Sequence, residues 1–180
     1  MGGGLSQVPA TVWLAVDIAK QHLTLHDHLQ VRRQWPVSTA AAGPGEREGS
    51  GGTPRGWHRI RACIGRGAPL GTVFVGRRPT GEIWTPELHR RSPHRDWILT
   101  RILWLSGVEP GYNRGGKVDT QRRYIYIHGT PETEPMGVPR SHGCIRMHSE
   151  ALCELFEHVE VGTPVWIGEG NPQRDGPSVS

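Results

Sequence analysis

At 180 residues the chain is the size of one ordinary domain. Its hydrophobic share of 35% reaches a normal core-forming level once the glycines are added, whereas 25 Gly and 15 Pro exclude a helical bundle and favour short strands joined by turns. No apolar run approaches the roughly 20 residues of a membrane helix. The net charge of +4, without any block of like charge, is a mild bias toward anionic partners and gives no case for nucleic acid.

In chain order, residues 1–10 read as a flexible tail. They carry neither the basic cluster nor the apolar stretch of a secretory signal, although Met1 to Ser6 matches the short pattern for acylation at Gly2. Three strands are expected at Val12 to Val16, His22 to His26 and Arg32 to Ser38. The apolar–polar alternation and the spacing of about ten residues suit an antiparallel meander. Ala42 to Gly56 holds six Gly and two Pro and reads as a surface loop. Further strands are expected at Trp57 to Ile64, Ile83–Trp84 and Ile98 to Leu105, with Arg77 to Asp96 a long exposed excursion and Glu109 to Asp119 another loop.

Arg123 to His128 reads as the clearest strand, with Tyr124, Tyr126 and His128 on one face and Ile125 and Ile127 on the other. One helix is expected, capped by Ser149, with Leu152, Leu155, Phe156 and Val159 forming its apolar stripe and Cys153 beside them in the core. Val165 to Ile167 returns as the last strand, and residues 169–180 read as a second tail.

Three cysteines, Cys63, Cys144 and Cys153, cannot all be paired. Cys63 and Cys153 read as small buried hydrophobes. Cys144 has different company, in Ile127-His128-Gly129-Thr130 and Ser141-His142-Gly143-Cys144-Ile145-Arg146-Met147. A cysteine attacks as its thiolate, which an imidazole can generate by taking the proton and later returning it to a leaving group. Gly143 allows close backbone approach, and N–H groups around Gly143 and Cys144 are candidates for an oxyanion hole. Arg146 supplies positive potential for a thiolate or a substrate carboxylate. His142, two residues before Cys144, is a rival base. A competing possibility is zinc held by His128, His142, Cys144 and His148, although no C-x-x-C or H-x-x-x-H pair is present.

These residues resemble the L,D-transpeptidase catalytic domain family, whose signature is a His-Gly pair followed at a set distance by Ser/Thr-His-Gly-Cys, a hydrophobic residue and Arg or Asn. Here the cysteine stands 144 − 128 = 16 positions after the histidine. Pro36-Val37-Ser38-Thr39, Thr53-Pro54-Arg55-Gly56 and Ile102 to Thr130 are similar to further family segments, so the resemblance spans Val12 to Ile167. Ala40 departs from it, standing where glycine is usual.

The resemblance implies a mostly β, mixed β-sandwich over residues 11–168, with one short α-helix after the cysteine and no cofactor or metal. It implies Cys144 as nucleophile and His128 as general acid/base, oriented by the Gly129 carbonyl. Gly129, Ser141, His142, Gly143 and Arg146 would then serve in supporting, oxyanion or substrate-binding roles. The implied partners are peptidoglycan stem peptides, joined through their third residues or trimmed by hydrolysis. The implied compartment is the periplasm or cell wall.

Overall fold

A computed structural model describes residues 11–170 and 172 of the chain. The expected tails at 1–10 and 169–180 lie almost wholly outside these residues. Strands β1 (Val12–Asp17), β2 (His22–Asp27) and β3 (Gln30–Pro36) pair antiparallel as the alternation predicts. The third begins earlier than expected and stops at Pro36, because the chain then leaves β2 for another partner.

β4 (Gly56–Ile64), β5 (Thr72–Val75), β6 (Arg78–Ile83) and β7 (Ile98–Gly107) follow. The expected excursion at Arg77 to Asp96 is instead ordered. β6 closes a hairpin with β5, and a helix α1 (Pro86–Arg91) comes next. Its start is written in Thr85-Pro86-Glu87: the Thr85 hydroxyl accepts from the Leu88 N–H at 3.1 Å, and Pro86 occupies a position that needs no donor. Trp84, expected in a strand, lies between β6 and α1.

β8 (Tyr126–Thr130) and β9 (Ile145–His148) are parallel neighbours, and β10 (Pro164–Gly168) follows helix α2 (Ser149–Phe156). β8 is shorter than the expected Arg123 to His128 strand at its start. Tyr124 sits in a turn at φ +57° and is 54% exposed, whereas Ile125 and Ile127 enter the core as expected. Ser149 is not the helix cap. His148 holds that place without a side-chain bond, and the Ser149 hydroxyl accepts from the Thr100 hydroxyl at 2.6 Å. Cys63 and Cys153 are half-buried rather than core residues.

The sheet runs β3-β2-β1-β10-β4-β7, with β8 and then β9 continuing from the other edge of β7. It then closes on itself. Ser38, just past β3, exchanges backbone hydrogen bonds with Arg146 of β9, both at 2.9 Å. Inside the curl pack Leu14, Val16, Leu23, Ile60, Leu103, Ile127, Ile145 and Met147, plugged by Leu152, Leu155 and Phe156 of α2. Each such side chain, fully withdrawn from water, contributes about 1.5–3 kcal/mol.

The interior position of Ile127, Ile145 and Met147 decides what faces outward. By period two, Tyr126, His128, Cys144 and Arg146 lie on the opposite face of β8 and its neighbour. The architecture is the mostly β mixed arrangement expected from the sequence, with α2 following Cys144.

Candidate active site

His128 and Arg146 are register partners across the parallel β8–β9 pair, and Cys144 stands two residues before Arg146 on the same face. His128 is only 1% exposed. Its Nδ1 lies 2.7 Å from the Gly129 carbonyl, which can only accept. Nδ1 therefore carries the proton and Nε2 the free lone pair. Burial holds the His128 pKa below its ordinary value; the Gly129 carbonyl and Asp96 oppose this, and Arg146 adds to it. The ring is neutral at pH 7.

Gly129 has a steric duty as well. A Cβ there would run into the Leu99 carbonyl, and the Ser149 hydroxyl would be 3.1 Å away. The crowding arises from a bulge in β7: Leu99 opposes Gly129 and Ile102 opposes His128, leaving Thr100 and Arg101 extra. Thr100 adopts φ +76° there. Bulges of this kind commonly re-aim side chains beside functional sites.

Cys144 packs against Tyr126 and Ile102. Its Sγ accepts from the Tyr126 N–H and donates toward the Tyr124 carbonyl, both at 3.4 Å. Burial pushes the thiol up to about 11; the Tyr126 N–H pulls it down, Asp96 raises it, and Arg146 and Arg123 lower it. The sulfur rests as a neutral thiol held by backbone groups of Tyr126 and Tyr124.

The turn that carries Cys144 is held from within and without. Ser141 Oγ donates to the Cys144 carbonyl and accepts from the Gly143 N–H at 3.2 Å. Gly143 adopts φ +135°, a conformation rarely open to other residues. Its carbonyl accepts from the Thr53 hydroxyl at 2.8 Å, and that hydroxyl accepts from the Ala40 N–H at 3.0 Å. Ala40 is fully buried without a left-handed backbone, so the departure from glycine leaves the turn intact.

Thr53 belongs to the glycine-rich segment expected as a surface loop, but its far end is buried. Gly52 lies against the Gly45 backbone with no room for a Cβ. The Arg123 guanidinium fastens the segment through the carbonyls of Gly45 (2.9 Å), Glu46 (3.0 Å) and Gly52 (2.7 Å).

The remaining sequence candidates separate. His142 is exposed, while His148 Nε2 bonds the Glu134 carbonyl at 2.9 Å. Among the described residues no group of three or more His, Cys, Asp or Glu is arranged to hold a metal, so the zinc alternative fails on donor placement. Gly143's N–H is engaged by Ser141, against the expectation that it joins an oxyanion hole. Arg146 faces a cleft of about 320 Å³, bordered also by Asp96, Arg140 and His142, and its guanidinium meets Asp96 Oδ1 at 3.4 Å. Asp96 carries no spacing signal in the sequence. The partners of Sγ are backbone groups, which no side-chain pattern reveals.

A mostly β domain with His128 on one strand and Cys144 at the end of a fixed Ser-His-Gly-Cys turn, just before the adjoining parallel strand, defines a class of catalytic domain. The model of the L,D-transpeptidase catalytic domain family matches residues 11–167, and the chain belongs to that family. It is 31% identical to the probable L,D-transpeptidase YbiS of Escherichia coli K12 over 103 residues, 57% of this chain and 33% of that protein. It is 32% identical to the probable L,D-transpeptidase ErfK/SrfK of Salmonella typhimurium over 104 residues, 57% and 33% of the two. The chain spans between 30% and 49% of the length of the first curated relatives it matches. An L,D-transpeptidase from Mycobacterium smegmatis superposes with a TM-score of 0.51 at 20% identity, covering 88% of this chain and 59% of that one. L,D-transpeptidase 3 from Mycobacterium tuberculosis, in complex with a faropenem-derived adduct, does so at 0.52 and 18% identity, covering 89% and 61%. Among the described residues no helix is long and apolar enough to cross a membrane.

Proposed function

We propose that the protein is a cysteine L,D-transpeptidase acting on peptidoglycan stem peptides in the periplasm or cell wall. The observation that carries this is the fixed tautomer of His128, whose free Nε2 is held on the face of the sheet that bears Cys144. Cys144 Sγ attacks the carbonyl of the third stem residue while its proton passes to His128 Nε2. The oxyanion so formed is met by the Cys144 N–H, the donor that Ser141 leaves free. Collapse breaks the amide, the proton on Nε2 goes to the departing amine of D-alanine, and a thioester remains. An acceptor amine then attacks the thioester, giving its proton to His128, and the thiol is regenerated as the cross-link between third residues forms.

His142, exposed and outside any strand, borders the cleft and serves the substrate rather than as the base. The reading is tested with imipenem and intact-mass spectrometry. A single adduct on the unaltered protein, lost in Cys144→Ala and nearly lost in His128→Ala but retained in His142→Ala, is expected. An adduct that survives Cys144→Ala overturns the nucleophile. Products from purified disaccharide tetrapeptide then separate the two outcomes of the thioester: cross-linked dimer from an acceptor amine, or tripeptide alone if water resolves it.

A further inference from the structure

The Arg146 side chain is only 12% exposed, yet its contacts are loose. It reaches the Arg140 carbonyl at 3.5 Å and a single oxygen of Asp96 at 3.4 Å. A well-seated arginine–carboxylate pair is bidentate and close to 2.8 Å. Among the described residues the guanidinium thus has no close, bidentate partner, and it borders an open cleft beside Arg140 and His142.

Asp96 is placed differently from its partner. Its neighbours are fixed: Arg95 is bidentate to Glu82 at 2.7 and 3.1 Å and lies over the Trp97 ring, and Trp97 is buried. The Asp96 side chain itself is 57% exposed, a short arm on an anchored backbone. Arg146 is pinned through its backbone to Ser38. Rotation of Asp96 about its own side-chain bonds can uncover the guanidinium without moving either main chain.

We propose that Asp96 is a displaceable counter-ion, a specificity-determining residue that occupies Arg146 until a carboxylate of the incoming substrate takes its place. In the resting protein Asp96 neutralises the guanidinium. A substrate carboxylate entering the cleft forms the bidentate pair that Asp96 does not, and Asp96 turns to solvent. Neutral ligands gain nothing from the exchange, so the pair selects acidic peptides. The substrate class rests on the function proposed above; the exchange at Arg146 does not depend on the chemistry of Cys144.

The test therefore uses protein carrying Cys144→Ala, which cannot be acylated, and titration calorimetry at low ionic strength. The probes are the tetrapeptide stem with free carboxylates and the same stem with every carboxylate amidated. Asp96→Asn and Asp96→Ala are each expected to tighten the free stem about two- to fivefold, the range of a half-exposed ion pair, and to leave the amidated stem unchanged. Adding Arg146→Gln is expected to abolish the gain, and raised salt to shrink it. Unchanged or weaker binding of the free stem in both Asp96 variants overturns the proposal, as does an equal gain for the amidated stem or no binding of either. An imipenem adduct on Cys144 with no Asp96 effect removes the exchange and keeps the enzyme. A loss of the adduct with the Asp96 effect intact does the reverse.

Discussion

The resting state of Cys144 makes a prediction opposite to that for a pre-formed thiolate. With the thiol pushed up to about 11, the thiolate fraction at neutral pH is about one part in ten thousand. An ordinary cysteine has roughly three hundred times more. Simple alkylation, which consumes thiolate and uses no general base, should therefore be about two orders of magnitude slower at Cys144 than at a free cysteine. In a Cys63→Ser, Cys153→Ser protein, iodoacetamide modification followed by intact mass should rise about tenfold per pH unit from neutrality without levelling off. Acylation by imipenem should behave otherwise, because it needs only neutral His128. That imidazole is held below its ordinary value by burial, so it is deprotonated at a lower pH than a free imidazole and acylation should level off on the acid side of a free imidazole's titration. The divergence of the two profiles is the signature of an imidazole that takes the proton during attack. An alkylation rate that levels off near neutrality and exceeds that of free cysteine would refute the reasoning, since it would mean a standing thiolate–imidazolium pair.

Two further expectations concern the frame around the site. Thr53→Val keeps the shape but strands the buried Ala40 N–H and Gly143 carbonyl; it should cost about 2–4 kcal/mol, with Thr53→Ser restoring most of it, as read by urea denaturation midpoints. His58 is fully buried between Gly56 and Thr120, and burial lowers its pKa to about 4 from 6.5. The unfolded chain takes up that proton first, so stability is complete above 6.5 and falls as pH drops toward 4, by up to about 3 kcal/mol. His58→Gln should flatten part of that decline, leaving the share due to His26 and His128, which shift the same way. An unchanged slope in the variant would contradict the assignment.

Much of this arrangement was legible in the sequence, and what was hidden has physical reasons. Alternation pointed to β2, whose Leu23 and Leu25 face the core, whereas β1 and β10 were legible as short apolar runs because both of their faces are buried. It failed at Tyr124, where aromatic residues favourable to a strand were overridden by a left-handed turn. The α1 cap was present in Thr85-Pro86-Glu87 but was masked by a polar, proline-bearing stretch with no apolar stripe. At the site, the Ser141 to Arg146 run and His128 were legible because spacing and chemistry coincide. The steric need for Gly129 depends on a bulge in β7, far away in the chain. Asp96 reaches Arg146 only through tertiary folding, and the Ser38 bridge likewise joins segments that no local pattern connects.

The position of β10 has a consequence for how such a chain is made. That strand comes late in the sequence but lies inside the sheet, parallel to β1 and antiparallel to β4. During synthesis from the amino end, β1 and β4 lack their shared partner until Pro164 to Gly168 has emerged, and the meander meets the rest of the sheet only at its other end, where Ser38 bridges Arg146. Such long-range pairing is slow to form, and a nascent chain halted before that point has a sheet open between β1 and β4, although β8 and β9 can already pair. The curl is thus completed by the last strand to be made, which closes the sheet from within rather than at an edge.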